Sequence, residues 1–179
     1  EAVTIRTGMG VYMPKIRAIC FDIIGALLNV TDRRLPYQKL IENEYDAVSV
    51  RGLTNPLGPR QIVETVQPPP SEDAVRRWEA DLAAECASIR LRPRVPAIWA
   101  ALERAQVQIG VCSNLALPYA QPMLDALPSH PAAVVLSYRV GIMKPHKKIY
   151  QLVASRLDLK ISQILFVGND IDADLVAPA

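Results

Sequence analysis

Three cysteines and two histidines in 179 residues remove several classes of protein at once. Cys20, Cys86 and Cys112 are odd in number, each lies in an apolar stretch, and no pair has CxxC spacing. A secreted disulfide scaffold is therefore excluded, and the usage is that of a reducing compartment, the cytoplasm. His130 and His146 have no cysteine or carboxylate beside them in sequence, so a zinc site is not expected, and His146 reads as a surface residue. No apolar run approaches the ~18 to 20 residues of a bilayer span, and the mean hydropathy is only +0.13. Lysine and arginine exceed aspartate and glutamate by two with no block of either sign, which leaves no footprint for nucleic acid. Repeats, low-complexity tracts and a secretory signal are missing too. What is present is a chain half hydrophobic and 21% charged, long enough to bury one core.

Residues 1–12 read as an N-terminal extension, with Met13 a natural start of the fold. Ile16 to Phe21 is a short β-branched apolar run stopped by Asp22, the pattern of a buried parallel strand. Leu35, Leu40, Ile41, Tyr45 and Val48 then fall at roughly helical spacing, and 52–59 is a loop rich in Gly, Pro and Asn. A short segment at 62–66 precedes three prolines, after which Ser71 caps the clearest helix, with Val75, Trp78, Leu82, Cys86 and Ile89 on one face. Pro93 and Pro96 interrupt it, and 97–105 forms the next helix. Strands follow at 107–112, 133–136 and 164–167, separated by helices at about 118–127 and at 147–157. Such alternation predicts an α/β fold with a parallel sheet covered by helices, and Trp78 and Trp99 are expected in its packing.

Asp22, Ser113, Lys144 and Asp170 fall just past the C-terminal ends of four expected strands. In an open parallel sheet those ends line one crevice where ligands bind. An aspartate there can attack as a nucleophile. A serine hydroxyl can hold a phosphate oxygen, a lysine can offset carboxylate and phosphate charge, and paired acids can hold Mg²⁺ among oxygen donors. Cys112, one residue before Ser113, reads as a small buried hydrophobe.

The segments 21–28 (FDIIGALL), 109–114 (IGVCSN), 140–145 (VGIMKP, followed by Ile149 and Tyr150) and 164–174 (ILFVGNDIDAD) resemble the four ordered motifs of the haloacid dehalogenase superfamily. The resemblance runs from about Lys15 to Ala179. It implies a Rossmann-like core at 13–30 and 95–179, with residues 31–94 inserted as a helical cap like that of haloacid dehalogenases and phosphoglycolate-type phosphatases. It further implies a Mg²⁺-dependent phosphatase acting on a small phosphorylated metabolite. Asp22 would be the nucleophile, Ser113 and Asn114 would bind phosphoryl oxygens, and Lys144 would steady the charge. Asp22, the Ile24 carbonyl, Asp170 and Asp174 would hold or orient the metal.

The departures from the pattern are specific. Ile24 stands where family phosphatases carry an acid/base aspartate, Ala26 replaces a hydroxyl residue, and Asn169 replaces the aspartate after Gly168. Losing a general acid/base typically removes ~10² to 10⁴ in rate. Two other readings follow, a catalytically inactive relative that binds a ligand, and a metal-independent haloacid dehalogenase with Arg33 or Arg34 reaching the site. Phosphonate hydrolases use a cap lysine, for which Lys39 is the only candidate. Family members continue beyond the fourth motif, so a longer domain is expected, with a second copy or a partner chain at an otherwise open sheet edge.

Overall fold

The structure is a computed structural model and describes residues 15–36, 45–65 and 67–178. The N-terminal extension, Lys39, Leu40 and Ile41 lie outside the described residues. Four strands, β1 (Ala18–Phe21), β4 (Gln108–Ser113), β5 (Ala133–Leu136) and β6 (Ile164–Val167), form one sheet in the order β5-β4-β1-β6. Every pairing is parallel, with Ala18 opposite both Gln108 and Ile164, and Gly110 opposite Ala133. The fold is the Rossmann-like α/β arrangement expected, with β6 at one edge and Leu165 on it 48% exposed.

Strand side chains alternate between two cores, as the two-residue period of a pleated strand requires. Phe21, Ile109, Val111 and Leu136 join Trp99, Tyr119 and Met123 from α4 (Val95–Arg104) and α5 (Leu117–Asp125). Ala18, Cys20, Cys112 and Val135 face the other way, onto Ile149, Tyr150, Val153 and Leu157 of α7 (Lys147–Leu157). A sheet covered on both faces explains the near-continuous apolar strands. Trp78, Trp99 and Cys112 are all buried.

Two further strands escaped the sequence reading. β2 (Leu28–Val30) and β3 (Ile89–Leu91) pair antiparallel, Leu28 with Leu91 and Val30 with Ile89, so that the chain leaves and re-enters the core side by side. Ile89, expected as the last apolar position of a helix, is the first residue of β3. α3 (Glu72–Ala87) stops two residues earlier because Ser88 leaves the helical conformation (φ −91°, ψ 0°) and its carbonyl takes the Thr31 hydroxyl at 2.9 Å. Ser71 caps the start of α3 as expected, accepting the Ala74 N–H at 3.3 Å. Between the ribbon strands lie α1 (Tyr45–Thr54), α2 (Pro59–Val63) and α3. α1 packs on α6 (Ser137–Val140), a four-residue helix after β5, and α3 packs on α5.

Glu85 ties these pieces together. It is buried on α3, and Oε1 accepts the backbone N–H groups of Arg34 at 2.6 Å and Leu35 at 2.8 Å. Its Oε2 accepts the Tyr119 hydroxyl from α5. Leu35 holds φ +52°, a left-handed conformation that costs a side-chain-bearing residue about 1 to 2 kcal/mol. The doubly accepting carboxylate offsets that cost.

Candidate active site

Asp22 follows the last residue of β1, where its own N–H bonds the Val167 carbonyl of β6 at 2.8 Å, so the carboxylate emerges between the two strands' C-terminal ends. Ser113 ends β4 and is buried. Its hydroxyl donates to Asp22 Oδ1 at 2.8 Å. Lys144 lies three residues past Gly141, which closes α6 in the left-handed conformation (φ +70°). Its ammonium donates to Asp22 Oδ1 at 2.9 Å and to Asp174 Oδ1 at 2.5 Å. Asp22 Oδ2 has no hydrogen-bond partner among the described residues.

Lys144 is 6% exposed, and an ammonium so far from water must be paired. Burial alone would lower its pKa, but the Asp22 charge and the hydrogen bonds to Asp174 and Asp22 outweigh burial and hold it above the usual lysine range. The group therefore stays charged at neutral pH. Two carboxylates and one ammonium leave the cluster with one net negative charge.

The Asn114 side chain, expected on a phosphoryl oxygen, grips the backbone of Lys144. Nδ2 donates to the Lys144 carbonyl at 2.9 Å, and Oδ1 accepts the Lys144 N–H at 2.8 Å. That pair fixes where the lysine leaves the chain. One Nδ2 proton and the Asn114 backbone N–H remain outside it.

Asp170, Asp172 and Asp174 separate sharply in the structure. Asp170 and Asp172 are exposed, and Asp170 caps the π-helical turn Ile171–Val176 by accepting the Ala173 N–H at 2.9 Å. Asp174 is buried, with Oδ1 on Lys144 and Oδ2 accepting the Asp170 N–H at 3.0 Å. Its carboxylate lies against Gly168 so closely that a Cβ there would meet Oδ2 at 2.0 Å. The buried Tyr150 hydroxyl donates to the Ala173 carbonyl and holds the same turn. Burial pushes the Tyr150 pKa up to about 12.

Sequence reasoning quoted Gly25, Tyr150 and Gly168 within the motifs without giving them roles, and did not single out Arg92. Gly25, at φ +86°, passes under the Asn169 side chain, where a Cβ would sit 2.9 Å from the amide. Arg92 donates to the Gly25 carbonyl from just beyond β3 and so props the loop after Asp22. The glycine signal was readable, since each follows a strand and precedes a polar residue or tight turn. The arginine had none.

Among the described residues no three His, Cys, Asp or Glu side chains gather as a metal cage. Mg²⁺ needs no such cage. It takes one or two carboxylates and completes its shell with water and phosphate. Asp22 Oδ2, which has no partner among the described residues, and the exposed Asp170 carboxylate are hard oxygen donors whose chemistry suits Mg²⁺.

The fold and this crevice define a parallel α/β protein whose carboxylate–ammonium cluster sits at the C-terminal ends of the sheet strands. The description that matches residues 16–179 is haloacid dehalogenase-like hydrolase, and the chain belongs to that family. A phosphoglycolate phosphatase of Salmonella choleraesuis is 28% identical over 198 residues, covering 90% of this chain and 78% of its own. Among solved structures, a predicted phosphoglycolate phosphatase from Haemophilus somnus superposes with a TM-score of 0.62 at 19% identity, covering 92% of this chain and 82% of that one. A mutant HAD family enzyme from Bacteroides thetaiotaomicron, solved with magnesium and inorganic phosphate, gives 0.64 at 14% identity over 90% and 89% of the two chains. No helix among the described residues is long and apolar enough to cross a membrane.

Proposed function

We propose that the protein is a phosphatase that hydrolyses a small phosphorylated metabolite through an aspartyl-phosphate at Asp22. The observation that carries this reading is the division of labour within one carboxylate. Oδ1 is pinned by Ser113 and Lys144, while Oδ2 is left without a partner among the described residues. An oxygen so oriented attacks phosphorus as the ester oxygen departs with its bonding electrons, and water then cleaves the acyl phosphate.

Lys144 has three N–H donors and places two on carboxylates, so the third is available to a phosphoryl oxygen. The remaining donors of Asn114 serve the same group. Asp174 works through Lys144 as a positioning residue. Mg²⁺ would be held by Asp22, the Ile24 carbonyl and Asp170, and would supply positive charge to the phosphoryl oxygens. Residues 31–94 act as the cap over this crevice, and a cytoplasmic location suits the cysteine usage.

Ile24 has no proton to give or take, and it packs against the core instead. Leaving-group protonation therefore falls to solvent, and turnover should be ~10² to 10⁴ slower than with a carboxylate there. This observation also favours a second reading, a ligand-binding relative without turnover.

The test is hydrolysis of an aryl phosphate with Mg²⁺ and with chelator, using Asp22→Asn as the blank. The expected result is slow, metal-dependent turnover that disappears in the variant and rises in Ile24→Asp. A rate equal to the blank in both wild type and Ile24→Asp overturns it. Halide release from a 2-haloacid without metal would then identify a dehalogenase, and silence in both assays the binding reading.

A further inference from the structure

The two edges of the parallel sheet are guarded unequally. At the β5 edge Arg156 reaches back from α7 and donates to the Val134 carbonyl, which lays a charged side chain across the strand. β6 has β1 on one side and no strand on the other among the described residues. Residues 161–169 (ISQILFVGN) carry no charge and no proline, and β6 runs in unbroken register with β1, so no bulge turns the edge away. Charge, proline and bulge, the usual guards of an edge strand, are all missing there.

The surface around that edge is apolar. Ile16, Leu165, Ile171, Leu175 and Val176 are exposed, Ile171 by 71%, and they make up five of the eight large aliphatic residues exposed among the described residues. Ile16 precedes Arg17, whose N–H bonds the Gln163 carbonyl at 2.8 Å, so it flanks the start of β6. Ile171 and Leu175 share a cavity of about 280 Å³ with Phe166 and Val167 at the other end of the strand. At their exposures the five residues present roughly 500 Å² of apolar surface, near the top of the ~300 to 600 Å² that is the largest patch on a typical monomer. With the edge backbone and neighbouring polar atoms, that approaches the ~800 Å² each partner buries in a stable complex.

Charge at the two ends of β6 decides the direction in which a strand could pair with it. Lys160 and Arg17 are exposed beside its start, and Asp170 and Asp172 are exposed in the turn after its end. A second β6 laid antiparallel sets each basic end against an acidic one, whereas a parallel one sets like against like.

We propose that β6 is the interface between two copies of this chain, paired antiparallel about a two-fold axis into one continuous sheet of eight strands, four from each. The second copy covers the five aliphatic residues and the open side of the cavity beside Phe166, whose lining includes Asp170 and Asp174. Pairing consumes both β6 edges, and Arg156 guards both β5 edges, so assembly stops at two. The inference stands apart from the phosphatase reading.

Sedimentation velocity of the 179-residue chain tests it. Between about 1 and 200 µM the mass should rise from one chain to two and no further. Leu165→Lys places a charge on the bare edge and should keep the protein monomeric throughout, with thermal unfolding at the lowest concentration unchanged, because Leu165 is already half exposed. Lys160→Glu makes the facing ends alike and should weaken the dimer about tenfold in low salt and little in about 1 M salt. Under mild oxidation Leu165→Cys should be captured as a disulfide-linked pair, while Val50→Cys, equally exposed on α1, should not. The last two comparisons decide the matter if Leu165→Lys does not fold. A chain that stays single at the highest concentration, growth beyond two copies, a Leu165→Lys dimer as tight as the wild type, or no more cross-linking at Leu165→Cys than at Val50→Cys overturns the proposal, whatever else then covers β6.

Discussion

Gly168→Ala tests the packing that holds Asp174 to Lys144. The new Cβ would lie 2.0 Å from Asp174 Oδ2, 2.1 Å from Cγ and 2.6 Å from Cβ. Non-bonded Cβ contacts do not fall below 3.0 Å, so the carboxylate must retreat by at least about 1 Å. Lys144 then loses a 2.5 Å partner while still buried. Overpacking of this kind costs typically 1 to 3 kcal/mol, and a loosened buried ion pair adds to it, so about 2 to 3 kcal/mol is expected. For a chain of this size that is a fall in Tm of roughly 4 to 12 °C. Thermal and denaturant unfolding of Gly168→Ala, Asp174→Gly and the double variant give the assay. Asp174→Ala would not suffice, because the Asp174 Cβ is itself part of the clash. In the Asp174→Gly background the alanine should cost no more than about 0.5 kcal/mol. Additive effects, or a harmless Gly168→Ala, would refute the steric argument.

Lys144→Met leaves Asp22 and Asp174 facing each other without their shared cation and should destabilise by about 3 to 5 kcal/mol, read by urea unfolding. Glu85→Ala removes the acceptor for three donors and should cost roughly 3 kcal/mol, with Tyr119→Phe costing far less when added to it than alone. Lys144 and Tyr150 both have pKa values raised by the fold, so each contributes stability that is complete below its unfolded pKa and is lost as pH rises through the folded one. The share of these two groups should therefore hold to about pH 10 and decline above it, on top of an earlier decline from the thiols of Cys20 and Cys86, whose pKa values burial also raises. The decline above about pH 10 should be shallower in Tyr150→Phe, and an unchanged slope there would count against the tyrosine's share.

The legible parts of this fold were those with length and monotony on their side. β5, α7 and β6 keep the bounds read from the sequence because each is a short apolar run or an amphipathic period closed by polar residues. β2 and β3 are three residues each, paired across the intervening 31–88 segment, so no local period announces them. α6 is too short for a helical period to register. The sequence resemblance names Asp170 and Asp174 but does not tell one from the other. Only packing against Gly168 and the reach of Lys144 single out Asp174 as the buried partner.

The β2–β3 ribbon bears on how this architecture can change. Because Val30 and Ile89 are paired neighbours, the 31–88 segment leaves and rejoins the core at two adjacent points, and it meets the core again where α3 packs on α5 and Glu85 takes the Tyr119 hydroxyl. Loop-closure cost grows slowly with length, about 0.6 kcal/mol per doubling, so the ribbon is indifferent to how long the excursion is. A graft of foreign sequence between those two residues would meet an already closed junction. The portable unit of this protein is thus everything beyond one three-residue seam, exchangeable while β1, β4, β5 and β6 stay as they are, provided the replacement also covers the α5 face that α3 packs and supplies a partner for Tyr119.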